Sequence, residues 1–158
     1  MTVLRTSVDP RSPGYLANRE ALLEQIAAVD AEHAKAVAGG GPKYVARHRQ
    51  RGKLLIRERI ELLIDEDSPF LELSALAGWG SEFPVGASAV TGIGVVEGVE
   101  CLIGGSDPTI KGGATNPWSL RKVRRANEIA RQNRLPVINL TESGGADLPT
   151  QKEIFIPG

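Results

Sequence analysis

Two adjacent glycines, Gly144 and Gly145, lie shortly after an apolar run at residues 137–140. Because glycine has no Cβ, such a pair can adopt backbone angles that point successive N–H groups the same way, which suits a developing oxyanion. An ordinary strand-to-helix turn has a similar local sequence. We expect the apolar run to be a buried strand and the two amides to face a cavity instead of pairing within the sheet.

The basic residues are concentrated in two segments, 47–59 and 111–134. The chain carries 19 basic and 19 acidic residues, so it has no overall field that would attract nucleic acid or an anionic membrane surface. Any anion site must therefore be local. The clustering favours a small phosphate-bearing ligand over a duplex.

The usual catalytic groupings are missing from the sequence. It contains no paired carboxylates and no pattern of metal ligands, and Ser143 lacks the preceding glycine of a Gly-x-Ser-x-Gly nucleophile turn. His33 and His48 have no recognisable acid–base partner, so we expect them to be surface or helix residues. The glycine pair therefore remains the feature with the clearest chemical use.

Helix signals frame these segments. Ser12 and Pro13 begin a predicted helix that the glycines at 39–41 end, and a shorter helix is predicted over residues 56–64. A third helix is predicted to start at Asn116, with an apolar inner face and a solvated basic face. The expected inner residues are Leu120, Val123, Asn127 and Ala130, and the expected solvated cations are Arg121, Lys122, Arg124, Arg125 and Arg131.

Two β-rich runs, 90–96 and 99–103, flank Glu97 and Gly98 and predict a tight hairpin. Hairpin, helix, strand and glycine turn together indicate an α/β layered core. Cys101 is expected to be a buried strand thiol. The first residues lack the apolar core of a signal peptide, and no stretch approaches the roughly 20 apolar residues of a membrane span, so we expect a cytoplasmic protein.

Five groups of segments, taken in order, resemble one protein family. They read RGKL and RERI from residue 51, SPFLEL from 68, DPTIKGG from 107, ANEIA from 126, and LP through SGGA over 135–146. In these segments the chain resembles the amino-terminal part of the carboxyltransferase (β) subunit of biotin-dependent acyl-CoA carboxylases. That family includes the propionyl-, methylcrotonoyl- and geranyl-CoA carboxylases.

The resemblance implies a crotonase/ClpP-like layered α/β fold, incomplete here and preceded by amino-terminal helices. We expect a helical extension over residues 1–41 and an incomplete amino-terminal CoA carboxyltransferase domain over residues 42–158. Because the family's subunit has two related domains, we expect this chain to be a fragment that is inactive alone.

The resemblance also implies an activity, a cofactor and partners. The activity is transfer of a carboxyl group from carboxybiotin to an acyl-CoA, through an enolate held by the amides of Gly144 and Gly145. Biotin would be carried by a biotin carboxylase/biotin carrier (α) subunit, and other β subunits would complete a homo-oligomer. No residue here corresponds to the family's second amide pair, which holds the biotin ureido oxygen, and no metal is expected.

Coenzyme A carries phosphates, so the implied site needs local cations and exposed amides. The candidates are Arg47, Arg51, Lys53, Lys111, Gly112 and Gly113. If the cations contact the phosphates, Lys111 must converge with the others although it is far from them in sequence.

The residues after the glycine pair bear on the substrate and on rival functions. The run from Ala146 to Gln151 leans towards the methylcrotonoyl and geranyl enzymes, but Asp147 and Thr150 replace an amide and a cation of that pattern. One alternative is a crotonase-type hydratase or isomerase, for which Glu142 is the only acidic residue immediately beside the turn. Another is an inert CoA-binding or subunit-contact module.

Overall fold

The chain, described over residues 6–155 in a computed structural model, forms a four-stranded sheet flanked by helices. The helices are α1 (Pro13–Val37), α2 (Pro42–Gln50), α3 (Ile56–Glu61), α4 (Pro117–Asn133) and α5 (Gln151–Phe155). The strands are β1 (Leu71–Glu72), β2 (Ala89–Val96), β3 (Val99–Ser106) and β4 (Val137–Leu140). Single turns of 3-10 helix occupy Lys111–Gly113 and Leu148–Thr150.

The predicted helix starts are confirmed by their caps. Ser12 Oγ accepts a hydrogen bond from the Tyr15 N–H (3.2 Å), and Asn116 Oδ1 accepts one from the Ser119 N–H (2.9 Å). Helix α3 is shorter than predicted and ends at Glu61. Helix α2 was not predicted, because most of its side chains are charged or polar and it has no apolar periodicity.

The predicted hairpin is confirmed, since β2 and β3 pair antiparallel with Val96 opposite Val99. Strand β4 pairs parallel to β3, with Leu102 opposite Val137, and lies at the edge of the described sheet. Val137 is 46% exposed, so the expectation of a buried strand is wrong over the described residues. The physical reason is that an edge strand has a neighbour on one side.

The core has two layers, one on each side of the sheet. On one side Ile56 and Ile60 of α3 pack with Val90 and Ile103, together with Cys101, whose predicted burial is confirmed. On the other side Leu102 packs against alanines 126 and 130 of α4. The α/β layered architecture is therefore confirmed. Helix α1 lies outside these layers; only Ala36, near its carboxyl end, is buried.

Helix α4 presents a different face to the sheet than the sequence predicted. Of the four residues predicted to face inward, Ala130 is buried as expected, Leu120 is half-buried, and Val123 and Asn127 are exposed. The other buried residues of the helix are Pro117, Ser119, Lys122 and Ala126. Alanine side chains let the helix approach the sheet closely, so the small residues turn inward. The predicted solvated face holds for the exposed arginines but is wrong for Lys122.

Lys122 is 3% exposed, and its Nζ donates to the Ala89 carbonyl (2.6 Å). Burial lowers the pKa of Lys122 to about 8, an effect only partly opposed by the negative charge of Glu72. The buried ammonium thus satisfies a backbone carbonyl at the first residue of β2 and joins α4 to the sheet.

Candidate functional site

A cleft of 510 Å³ lies between α2 and the loop that follows β3. Three of the predicted cations, Arg47, Arg51 and Lys111, line it, and so does the predicted Gly112. We call this the cationic cleft. Its other lining residues are Gly39, Gly40, Tyr44, His48, Pro84, Pro108, Thr109 and Ile110.

Helix α2 and its carboxyl cap place the two arginines on the same side of the cleft. Arg47 and Arg51 are four residues apart, which puts them on one helical face. Between them His48 is buried at 7% exposure, and its Nε2 donates to the Leu54 carbonyl (3.1 Å). That bond ties the end of α2 to the segment leading into α3.

The opposite wall is brought near by a close backbone approach. The Gly40 N–H donates to Thr109 Oγ1 (2.9 Å), and a Cβ on Gly40 would lie 1.9 Å from the Thr109 carbonyl oxygen. Asp107 accepts from the Thr109 hydroxyl (2.5 Å) and holds the loop in place. The glycines predicted to end α1 therefore also bring α2 against the loop that carries Lys111.

Two of the predicted residues lie elsewhere. Lys53 does not line the cationic cleft; its Nζ is 2.5 Å from Glu142 Oε1. Gly113 lies in a second groove instead. Lys53 was expected to contact phosphate together with Arg51, but the chain turns after the α2 cap at Arg51 and directs the lysine towards the glycine turn.

The glycine turn, residues 141–146, has both of its key amides occupied. The Gly144 N–H donates to the Gly112 carbonyl (2.8 Å), and the Gly145 N–H donates to Ser143 Oγ (3.1 Å). Ser143 Oγ in turn donates to the Gly113 carbonyl (2.7 Å). As expected, neither amide pairs within the sheet; but both glycines are exposed, neither lines the cationic cleft, and both amides have acceptors in this conformation, so the expected cavity in front of them is not found.

Hydrogen bonds from Ser106 and Thr115 hold the two ends of the glycine turn. Ser106 Oγ accepts from the Glu142 N–H (2.9 Å) and donates to the Glu142 carbonyl (2.7 Å). Thr115 donates its N–H to the Gly145 carbonyl and accepts from the Asp147 N–H, each at 2.8 Å. Sequence reasoning missed Ser106 and Thr115, because nothing in their local sequence indicates a distant partner.

A second groove, of 330 Å³, runs between the sheet and α4 and reaches the glycine turn. Leu102, Leu120, Val123 and Ala126 supply apolar wall, and Ser143 lies at its turn end. We call this the apolar groove. It was not predicted, since it depends on the rotation of α4 that leaves Leu120 and Val123 beside open space.

Two acidic side chains lie near the turn, and both are paired. Lys53 hydrogen bonds to Glu142 and lowers the pKa of that carboxyl, although partial burial opposes the shift. Asp147, 9% exposed, accepts from Thr150 Oγ1 (2.9 Å) and lies 3.4 Å from Lys111 Nζ. Neither carboxylate is placed as an unpaired general acid or base.

The part of the chain from residue 6 to residue 155 holds no cluster of three His, Cys, Asp or Glu side chains suited to a metal ion. None of the helices in that part is long and apolar enough to cross a bilayer.

Comparison with known proteins gives one consistent result. A family model described as the carboxyl transferase domain matches residues 47–157. The chain is 63% identical to the probable biotin-dependent acyl-coenzyme A carboxylase beta2 subunit of Mycobacterium tuberculosis, over 99% of this chain and 30% of that one. It is 47% identical to the probable mitochondrial methylcrotonoyl-CoA carboxylase beta chain of Drosophila melanogaster, over 97% of this chain and 27% of that one.

A solved structure agrees with these relatives. The geranyl-CoA carboxylase beta subunit of Pseudomonas aeruginosa superimposes with a TM-score of 0.89 at 40% identity, covering 98% of this chain and 29% of that one. The chain thus spans less than a third of the length of these relatives.

Proposed function

Because this chain belongs to the carboxyl transferase domain family, we propose that it forms the acyl-CoA side of a biotin-dependent carboxyltransferase site. The parent protein would transfer a carboxyl group to an acyl-CoA. The cationic cleft would bind the phosphates of coenzyme A, and the glycine turn would stabilise the enolate. The expected partners are a biotin-bearing (α) subunit and further β subunits.

One observation carries the proposal. Arg47, Arg51 and Lys111, distant in sequence, line a single cleft, and Gly112 joins that cleft to the glycine turn. Forked guanidinium groups and a compact ammonium are well suited to phosphate oxygens. A ligand with phosphates at one end and a reactive group at the other could occupy the cleft and the turn together.

The glycine turn would act on the thioester. Removal of the proton beside a thioester carbonyl places negative charge on its oxygen, and two backbone amides can hold that charge. In the present conformation Gly144 and Gly145 donate to Gly112 and Ser143. Those acceptors must therefore be exchanged for the substrate oxygen before the turn can serve as an oxyanion hole.

The apolar groove is the proposed place for the acyl group. It adjoins the glycine turn at Ser143, and Leu120 and Val123 offer apolar surface to an aliphatic chain. This arrangement suits a branched or extended acyl group, in keeping with the methylcrotonoyl and geranyl relatives.

Biotin, when bound, supplies the carboxyl group that is transferred. We assign none of the described residues to it, and the glycine amides are needed for the acyl-CoA. In this proposal the residues of the chain bind coenzyme A, orient the thioester and stabilise its enolate, while a partner presents the biotin.

The hydratase or isomerase alternative needs an acid or base beside the turn. Glu142 is held by Lys53, and its pKa lies below the usual range, so it is ionised at neutral pH and already paired. A paired carboxylate of low pKa is a weak general base. The geometry therefore favours the carboxyltransferase over the hydratase.

The test of the cleft is a calorimetric titration of the complete subunit with coenzyme A. Arg47→Met and Arg51→Met should each weaken binding about tenfold at low salt and less at high salt, because each removes a charged hydrogen bond to phosphate. Lys43→Met, an exposed lysine of α2 outside the cleft lining, is the matched control. Equal losses in the control would contradict the phosphate cleft.

The test of the glycine turn is steady-state carboxylation by the complete subunit with its biotin-bearing partner. Gly145→Ala should lower kcat about 10²-fold to 10³-fold and change coenzyme A affinity little, since the amides act on charge that develops in the transition state. Gly145 has φ +107, so a Cβ strains the turn itself. A loss confined to affinity would refute the assignment.

A further inference from the structure

The turn Lys111–Gly113 contacts both candidate sites. The Lys111 side chain lines the cationic cleft, and the backbone of residues 112–113 contacts the glycine turn. The Gly112 carbonyl accepts from Gly144, and the Gly113 carbonyl accepts from Ser143. One short segment therefore touches the proposed phosphate site through a cation and the proposed oxyanion site through two carbonyls.

The same segment has an unusual backbone. Lys111, Gly112 and Gly113 have φ values of 47°, 67° and 71°, three consecutive left-handed residues. The first of them is not glycine, so the conformation is strained at Lys111 itself. A segment held in this way is stable only while its surrounding contacts persist.

The contacts of the Lys111 side chain and of the two carbonyls are exchangeable, although Gly113 itself is buried and its N–H donates to the Ile110 carbonyl (2.9 Å). Lys111 Nζ lies 3.4 Å from Asp147 Oδ1, and the lysine side chain is 59% exposed, so an anion in the cleft can compete for it. Asp147 would keep its bond from Thr150 after losing the lysine. On the other side, single hydrogen bonds from Gly144 and Ser143 hold the two carbonyls.

We propose that the Lys111–Gly113 turn is a coupling element that holds the glycine turn closed, with Ser143 as a positioning residue, and that phosphate bound at Lys111 opens it. Movement of Lys111 towards the anion withdraws the Gly112 and Gly113 carbonyls from Gly144 and Ser143. The Gly144 N–H then loses its acceptor, and Ser143, no longer held by Gly113, can turn its hydroxyl away from the Gly145 N–H, so that both amides can donate to an oxyanion. This inference rests on the proposed function of the cationic cleft, and it adds an order of events: phosphate binding precedes assembly of the oxyanion site.

Ser143 has a specific part in this device. Its hydroxyl accepts from Gly145 within the turn and donates to Gly113 across to the coupling element. The hydroxyl therefore links the conformation of the glycine turn to the position of the Lys111–Gly113 turn. Removing the hydroxyl should free the Gly145 N–H and the Gly113 carbonyl without any ligand, leaving only the bond from Gly144 to Gly112 to hold the turn.

The experiment is rapid-mixing hydrogen–deuterium exchange on the complete subunit, followed by mass spectrometry of the peptide that covers residues 141–147, with coenzyme A as the probe. Saturating coenzyme A should speed exchange of this peptide at least about fivefold, since loss of one hydrogen bond shifts an opening equilibrium by that much. Ser143→Ala should give fast exchange without the probe, and Ser143→Thr, which restores the hydroxyl, should return it towards the starting rate.

Lys111→Met separates coupling from binding. This variant should still bind coenzyme A through Arg47 and Arg51, so saturation can be reached, but hydrogen–deuterium exchange of the 141–147 peptide should not increase. The control Lys43→Met should respond as the unaltered protein does. Binding of coenzyme A with unchanged or slower exchange in the unaltered protein would overturn the coupling and leave the phosphate cleft standing. Failure to bind coenzyme A at all would overturn both.

Discussion

The cationic cleft and the glycine turn adjoin each other but are prepared for ligands to different degrees. Within residues 6–155, Arg47 and Arg51 form no ion pair, and both are exposed to the cleft. In the glycine turn, by contrast, the amides of Gly144 and Gly145 already have acceptors. The cleft can receive an anion as it stands, whereas the turn must exchange partners first.

The difference follows from what each region is made of. Long cationic side chains remain hydrated when unpaired and need no internal partner. Backbone N–H groups in a tight turn lie close to carbonyl and hydroxyl oxygens of neighbouring residues and pair with them, as the exposed Gly144 and Gly145 do here. A binding surface can therefore be formed before the ligand arrives, while an amide site is closed by its own backbone until something displaces the acceptor.

The largest expected effect is a loss of stability when a side chain is added at Gly113, where the Lys111–Gly113 turn packs against the glycine turn. A Cβ there would lie 2.4 Å from the Glu142 carbonyl oxygen, whereas one on Gly112 would meet nothing within 4 Å, and both residues have positive φ. Gly113→Ala should lower the free energy of unfolding by about 3–4 kcal/mol and Gly112→Ala by about 1–2 kcal/mol. Chemical denaturation of the two variants measures the difference. Equal losses would mean that the close contact with Glu142 is unimportant.

A second effect sharpens the contrast between exposed and buried cations. The pKa of Lys122 is lowered to about 8 in the fold, against an ordinary value of 10.5, so the unfolded chain binds more protons between those two values. The free energy of unfolding should therefore rise, by up to about 3 kcal/mol, as the pH increases through that window.

Denaturation at several pH values tests this effect in Lys122→Met and Lys43→Met. In Lys122→Met the free energy of unfolding should not rise with pH, because this variant has no buried ammonium to deprotonate. The second should follow the unaltered protein, since Lys43 is exposed. A rise that persists in Lys122→Met would assign it to another group.

The smallest effect concerns the ion pair that ties the glycine turn to the segment after α2. Lys53 and Glu142 are 48% and 32% exposed, so Lys53→Met should cost less than about 1 kcal/mol at neutral pH. The pKa of Glu142 is lowered in the fold, so the contribution of the pair is present above the ordinary carboxyl pKa and disappears as the pH falls through the lowered value. Thermal denaturation at neutral and acid pH should show the difference between the two proteins only at neutral pH.

Much of the local structure was predictable from short stretches of sequence. Ser12 and Asn116 cap their helices because each side chain reaches an amide three residues on, and the Glu97-Gly98 pair forms the expected hairpin. The site was predictable only in part. Arg47, Arg51 and Lys111 line one cleft, but Lys53 pairs with Glu142, and Lys122 is buried.

By itself, the sequence determined the family segments, the caps, the hairpin and the presence of two glycines without shielding side chains, because each depends on residues a few positions apart. Only the tertiary structure decided which cations share a cleft, which face of α4 packs on the sheet, and which acceptors occupy the Gly144 and Gly145 amides. These outcomes depend on backbone segments far apart in the chain, Gly40 against Thr109 and Gly112 against Gly144, whose approach is set by the packing of whole elements. Nothing in the local pattern around either partner specifies that approach.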